Sequence, residues 1–184
     1  MSKRRRELLA IAANLFAERG FANVTVDDIG DAAGVSGPAL YHHFKGKEAL
    51  LGEMLIGISE YLLDGGRKVA LVGGEVLERL VGFHARFAVD DRALITVHFR
   101  DLVHATEQDQ RTVRRLQARY VTVWVDELIR EQPEHDRRTA RATVQATFGL
   151  INSTPHSGAL PRQQMLEILT RLALAALRSA VPVR

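Results

Sequence analysis

The stretch from Gly34 to Leu50 constrains the fold of this chain more than any other part of the sequence. Its residues, GVSGPALYHHFKGKEAL, predict a tight turn, a short helix, a second turn and the start of a longer helix. Gly34 supplies the backbone freedom of a sharp turn, and Ser36 is a good N-cap for the short helix. Leu40 and Phe44 share one face and can anchor that helix to a core. The outer face is rich in hydrogen-bond donors, which suits a DNA groove better than a catalytic cleft.

Two helical segments precede this stretch. Residues 3–19 carry apolar side chains at helical spacing, and a glycine follows them as a C-terminal stop signal. Thr25 and Asp28 form the pattern of a capping box, which predicts a second helix over residues 26–33. Two short helices joined by a glycine-containing turn make a helix-turn-helix, whose second helix, here 37–43, enters the DNA major groove.

Residues 3–55 resemble the DNA-binding domain of the TetR family of bacterial transcriptional regulators. The resemblance rests on AERGF at 17–21, TVDDI at 25–29, AGVS at 33–36, LYHHF at 40–44 and KEAL at 47–50, all in register. It implies a DNA-binding domain of three helices at 1–48 and a helical ligand-binding and dimerisation domain at 49–184. It also implies a repressor that binds a palindromic double-stranded operator as a homodimer and leaves it when a small molecule binds.

The predicted DNA contacts lie at the chain start, at the second helix and around the recognition helix. They are Arg5, Arg6, Thr25, Ser36, Gly37, Pro38, Ala39, Tyr41, His42, His43 and Lys47. Tyr41, His42 and Lys47 are similar to family positions that meet phosphates and base edges, whereas His43 either contacts a phosphate or packs beneath the helix. Residues 37–39 depart from many relatives, which carry longer polar side chains there, so the operator sequence stays unpredicted.

The rest of the chain shows helical periodicity throughout. Helices are expected at residues 47–64, 75–89, 92–105, 108–131, 136–152 and 162–180, and Gly65 with Gly66 is expected to end or loosen the first of them. Together with the three N-terminal helices, they predict an all-α fold of about nine helices.

In the resembled family the middle helices enclose an effector cavity. The candidate ligand residues are Phe83, Phe87, His98, Phe99, Leu102, Arg119, Tyr120, Trp124, Asn152 and His156. Polar groups on apolar faces, such as His98 and Tyr120, need a partner when buried, and either a ligand or the protein core can supply one. Arginines at 111, 114, 115 and 119 can pair with an anion. Resemblance to regulators of lipid or acyl metabolism suggests an acyl-CoA or a fatty acid.

The last two helices are the expected dimer interface. Ala142, Ala146 and Gly149 put small side chains on one stripe of the penultimate helix, which permits close helix approach. The last helix carries an apolar face broad enough for the core and a partner. The resemblance implies that both helices pair with those of a second copy, although packing within one chain fits the same pattern.

Composition and motifs exclude other classes of protein. The 184 residues include no cysteine, so disulfides and thiolate metal sites are excluded. The basic N-terminus lacks the apolar core of a signal peptide, and no apolar run reaches a membrane span, so a cytoplasmic location is expected. No nucleotide-binding, nucleophile-elbow or zincin motif occurs, so we expect no enzyme, cofactor or metal. Two alternatives remain: an activator of the same family, or a helical dimerisation protein without operator-specific repression.

Overall fold

The computed structural model of this chain describes residues 3–36, 40–158 and 160–179, and every regular element within these ranges is a helix. The α-helices are α1 (Lys3–Arg19), α2 (Val26–Ala33), α3 (Lys47–Leu71), α4 (Val76–Asp90), α5 (Arg92–Asp101), α6 (Glu107–Glu131), α7 (Arg137–Ile151) and α8 (Arg162–Arg178). Short 3-10 helices lie at Phe21–Asn23, Leu102–His104 and Thr154–His156. The predicted all-α fold is confirmed, and the predicted recognition helix begins outside the described residues.

The first compact unit comprises Met1–Ser59 and Ala93–Arg114. The buried face of α1 carries Leu8, Ala12 and Phe16, which are each 0% exposed. The same apolar core takes side chains from α2, from the recognition segment, from α3 and from the segment 93–114: Ile29, Leu40, Phe44, Leu50, Leu51, Leu55, Val97, Ala105 and Val113. The segment 93–114 therefore shares a core with the helix-turn-helix.

The second compact unit comprises Glu60–Arg92 and Arg115–Arg184. Within it, α4 packs against α8 and α7, and α7 packs against α8. Its fully buried side chains include Leu77, Leu80, Trp124, Leu128, Val144 and Ala173. The predicted functional division after residue 48 cuts the chain at a different place from these units, and it stays a prediction.

One predicted helix end is wrong. The sequence predicts that Gly65 and Gly66 end or loosen the helix that begins at Lys47, but α3 continues through both to Leu71. These glycines instead allow close side-chain approach. A Cβ added to Gly66 would lie 2.5 Å from Cε2 and 3.0 Å from Cδ2 of Tyr120, and a Cβ added to Gly65 would overlap the Phe83 ring.

Among residues 3–36, 40–158 and 160–179, no helix is both long enough and apolar enough to cross a membrane. In the same part of the chain, no three His, Asp or Glu side chains group so that they could hold a metal ion.

Candidate DNA-binding surface and candidate ligand site

The capping box predicted at Thr25 forms at the start of α2. The Thr25 amide donates to Asp28 Oδ2 at 2.7 Å, and the Asp28 amide donates to Thr25 Oγ1 at 3.1 Å. The hydroxyl of Thr25 also donates to Asp28 Oδ2, and these bonds lower the pKa of Asp28 below its ordinary value. At the other end, Gly34 adopts φ 65° and ψ 36°, a left-handed conformation that glycine accommodates without strain. Both ends of α2 are therefore defined by the residues that the sequence singles out.

The recognition segment exposes one face and buries the other. Leu40 and Phe44 are 2% and 3% exposed, whereas Tyr41 is 58% exposed and His42 is exposed as well. The Leu40 amide donates to the Ser36 carbonyl at 3.2 Å, and the Phe44 amide donates to the Leu40 carbonyl at 3.0 Å, which are helical bonds. Predicted contacts through residues 37–39 lie outside the described residues. The segment therefore presents Tyr41 and His42 outward from an anchored turn.

Two of the predicted DNA-contacting cations are engaged within the first unit. Arg5 Nε donates to Glu53 Oε1 at 2.6 Å, Nη1 donates to the His43 carbonyl, and the guanidinium lies 4.3 Å from the centre of the Phe44 ring. Lys47 Nζ donates to the Phe21 carbonyl at 2.9 Å. These contacts tie α1 and α3 to the recognition segment and to the joint between α1 and α2.

The other predicted DNA contacts differ in exposure. Arg6, Thr25, Ser36, Tyr41 and His42 are exposed, and the His43 side chain is half-buried. A phosphate or a base edge can therefore reach these five exposed side chains without rearrangement of the first unit. The DNA contacts of all these residues stay predictions.

An aromatic cluster occupies the interior of the second unit. The His84 ring of α4 stacks on the Phe148 ring of α7, with centroids 4.7 Å apart and planes 11° apart. Tyr120 stacks on Phe148 at 5.4 Å, and Trp124 meets the same ring edge-on at 4.9 Å. Tyr120, Trp124 and His84 are 3%, 0% and 2% exposed and are closed to solvent, whereas Phe148 is half-buried.

His84 links this cluster through both ring nitrogens. Nε2 lies 3.1 Å from Asn152 Oδ1, which can only accept, so Nε2 carries the proton and donates. Nδ1 then accepts from the hydroxyl of Tyr120 at 3.2 Å. Burial lowers the pKa of His84 from 6.5 to about 4, although the bond to Asn152 opposes the shift, and burial raises the pKa of Tyr120. The cluster is therefore uncharged at neutral pH.

The predicted ligand residues divide between the two units. The ring centroids of Phe87 and His84 lie 5.9 Å apart, and those of Phe83 and Tyr61 lie 5.5 Å apart. Arg119 and His156, also in the second unit, are exposed.

His98, Phe99 and Leu102 belong to the first unit, where Phe99 is 67% exposed. The structure thus brings together Phe87, Tyr120, Trp124 and Asn152 around His84 within the second unit.

Two members of the cluster, His84 and Phe148, are absent from the predicted ligand set. His84 follows Leu77, Leu80 and Val81 on the apolar face of α4, and a polar residue on such a face is the signal applied to His98 and Tyr120. The same criterion therefore identifies His84. Phe148 carries no comparable signal, because an aromatic residue at helical spacing is ordinary core.

Two family models match separate parts of this chain. Residues 8–54 match the family model described as bacterial regulatory proteins, tetR family, and residues 72–177 match that of the tetracyclin repressor-like C-terminal domain. The HTH-type transcriptional repressor KstR2 of Mycobacterium tuberculosis H37Rv is 36% identical over 137 residues, which cover 70% of this chain and 66% of the repressor. KstR2 of Rhodococcus jostii RHA1 is 50% identical over 72 residues, which cover 39% of this chain and 35% of that protein.

Solved structures extend the similarity over the whole fold. A TetR-family transcriptional regulator from Bordetella parapertussis has 25% identity and a TM-score of 0.83, with 95% of both chains covered. The ketosteroid transcriptional regulator KstR2 of M. tuberculosis has 27% identity and a TM-score of 0.78, again with 95% of both chains covered. The sequence matches to the curated KstR2 relatives span about two thirds of their length or less. Since family models match both parts of the chain, it belongs to the TetR family of bacterial regulatory proteins.

Proposed function

We propose that this chain is a homodimeric transcriptional repressor that binds a palindromic operator and is released by a small-molecule effector. The observation that carries the proposal is the capped, anchored helix-turn-helix that buries Leu40 and Phe44 and leaves Tyr41 and His42 exposed. The names of the KstR2 relatives, which are called transcriptional repressors, support it. An activator would use the same DNA contacts, since the sign of regulation depends on where the operator lies. We assign the protein to the cytoplasm and give it no catalytic role.

Removal of the exposed side chains of the recognition segment tests DNA binding. We expect Tyr41→Ala combined with His42→Ala to raise the Kd for a selected operator by at least about tenfold, because each base contact contributes roughly 1–3 kcal/mol. The thermal midpoint should barely change, since both side chains are exposed. Fluorescence anisotropy at fixed salt measures the Kd. Tyr61→Ala is the matched control, because Tyr61 is 55% exposed in the second unit. Equal operator Kd values for the double variant and the wild type would contradict this assignment.

The exposed surface of α7 and α8 supports dimerisation. Ala142, Ala146 and Gly149 are exposed, and an added Cβ at Gly149 would meet nothing within 4 Å. Leu160 and Leu172 are 43% and 46% exposed beside a groove of about 200 Å³. Small side chains permit close approach of a second helix. Burial of the exposed leucines against a partner would lower the free energy of the dimer. We assign this surface to a second copy of the chain.

We place the effector site at the aromatic cluster around His84 and propose an acyl-CoA or fatty acid as its ligand. Aromatic and aliphatic walls with few polar groups are typical of small-molecule sites. An uncharged interior accepts an acyl chain, while the exposed Arg119 of α6 is a cation available to an anionic head group. The name of the KstR2 relative makes a ketosteroid the competing class of ligand.

A ligand panel tests this assignment. We expect octanoyl-CoA or oleoyl-CoA to raise the thermal midpoint and to change the emission of Trp124, the chain's single tryptophan. Oleate, androstenedione and a cationic dye make up the rest of the panel. If androstenedione stabilises the protein and no thioester or fatty acid does, the proposed acyl ligand is wrong and a ketosteroid takes its place. Coupling must also be reciprocal, so operator DNA should weaken ligand binding by the factor with which the ligand weakens DNA binding.

A further inference from the structure

Arg100, near the end of α5, connects its neighbour Asp101 to residues of α1 that lie more than eighty positions earlier in the sequence. Its Nε and Nη2 donate to Asp101 Oδ1 and Oδ2, each at 2.9 Å. Its Nη1 donates to the Ala17 carbonyl at 3.2 Å, and its Nη2 donates to the Phe16 carbonyl. One guanidinium therefore joins a carboxylate of α5 to two carbonyls of the last turn of α1.

Two properties set this contact apart from a surface ion pair. Asp101 is 1% exposed, so its carboxylate requires a charged partner in that place. The carbonyls of Phe16 and Ala17 belong to the C-terminal end of α1, where the helix dipole favours a cation, and the Phe16 carbonyl also accepts from the Gly20 amide at 2.8 Å. The bidentate bonds to Asp101 also fix the plane of the guanidinium, which fixes the direction of its bonds to α1.

His104 reinforces the same connection. Its ring stacks on Phe21, with centroids 5.0 Å apart and planes 16° apart. Phe21 follows α1, contacts the Phe16 ring at 5.2 Å and has Lys47 Nζ 4.3 Å from its ring centre. Residues of α5 and its 3-10 extension therefore hold the joint between α1 and α2, while the first residue of α3 holds it as well.

We propose that Arg100, Asp101 and His104, here named the Arg100 clasp, are positioning residues for operator recognition. None of them needs to touch DNA. The clasp fixes the α1–α2 joint, and the joint together with the shared core of the first unit sets the direction in which the recognition segment presents Tyr41 and His42. The segment Ala93–Arg114 packs with the helix-turn-helix, so the clasp and this shared core hold the DNA-reading face in one orientation. This inference rests on the proposed DNA-binding function and adds a determinant outside the DNA-binding face.

The test measures specific and non-specific DNA affinity side by side. Arg100→Gln combined with Asp101→Asn removes the clasp charges without leaving a buried carboxylate unpaired. We expect this double variant to raise the Kd for a selected operator about tenfold, within the range found for mutations that alter coupling between sites. The Kd for a scrambled duplex should stay at the wild-type value, because local phosphate contacts set it. Arg111→Gln is the matched control, since Arg111 is exposed and pairs with Glu107 one helical turn away in α6.

Further variants separate positioning from a loss of fold. His104 is exposed, so His104→Ala should stay folded and should weaken operator binding in the same selective manner. Arg100→Lys, which can still reach a carbonyl, should lie between the wild type and the double variant. Each Kd is corrected for the active fraction, because unfolding lowers both affinities together. If folded His104→Ala and either Arg100 variant bind the operator with wild-type affinity, the proposed positioning role of the Arg100 clasp is wrong. If the wild type itself does not distinguish operator from scrambled duplex, the proposed function fails instead.

Discussion

Gly66→Ala is expected to destabilise the protein by roughly 1–3 kcal/mol, the usual cost of forcing an extra methyl group into a packed core. The added Cβ would lie 2.5 Å from Cε2 of Tyr120. That ring cannot easily retreat, because Tyr120 is 3% exposed, donates to His84 and stacks on Phe148. The backbone of α3 must therefore move away from α6 within the second unit. Denaturant unfolding at neutral pH measures the loss.

The same helix provides the control. Gly57 is exposed in α3, and an added Cβ there would meet nothing within 4 Å. Because alanine favours a helix over glycine, Gly57→Ala should stabilise the protein by up to about 1 kcal/mol. If the two substitutions change the free energy of unfolding in opposite directions, the loss at Gly66 is caused by its close approach to Tyr120. A Gly66→Ala variant as stable as the wild type would mean that Tyr120 does not pack on α3 as described.

The second large effect is a loss of stability on acidification that His84 causes. Its folded-state pKa is about 4, below its ordinary value of 6.5, so the unfolded chain binds a proton more readily than the folded protein. Stability from the neutral imidazole is fully present above pH 6.5 and is lost as the pH falls toward 4. Between pH 7 and pH 5 the free energy of unfolding should fall by about 2 kcal/mol from this group alone.

Two variants isolate this contribution. His84→Gln removes the titrating group, so it should flatten the pH dependence between 7 and 5, whatever its stability at pH 7. His156→Gln is the matched control, because it makes the same substitution at an exposed histidine of the second unit. Urea unfolding at half-unit pH intervals provides the comparison. An equally steep loss in His84→Gln would show that another group is responsible.

Local signals predict the first helices well. The bounds of α1 and α2, the capping box at Thr25 and the left-handed turn at Gly34 all depend on residues within a few positions of one another. The positions of these helix ends are set by hydrogen bonds between residues of the same short segment. Sequence patterns therefore identify the helix-turn-helix before any tertiary contact is known.

Long-range partners explain what the sequence leaves undetermined. Gly65 and Gly66 look like a helix end until Phe83 and Tyr120 pack against them. Arg5 looks like a free cation, yet its main partner is Glu53, and the two α1 carbonyls that accept from Arg100 lie more than eighty residues earlier in the chain. Periodicity cannot reveal such pairs, because it reports which face is buried and not what covers it.

The most direct test of operator-specific repression by a dimer is selection of binding sites from a pool of random DNA duplexes by the full chain. A dimeric, operator-specific repressor should enrich one palindromic motif, with half-sites about one helical turn (~34 Å) apart and an even number of chains on each duplex by sedimentation. The Kd for the enriched duplex should lie well below the Kd for its scrambled version at the same salt concentration. If the folded protein enriches no motif and binds all duplexes equally, operator-specific repression by a dimer is contradicted.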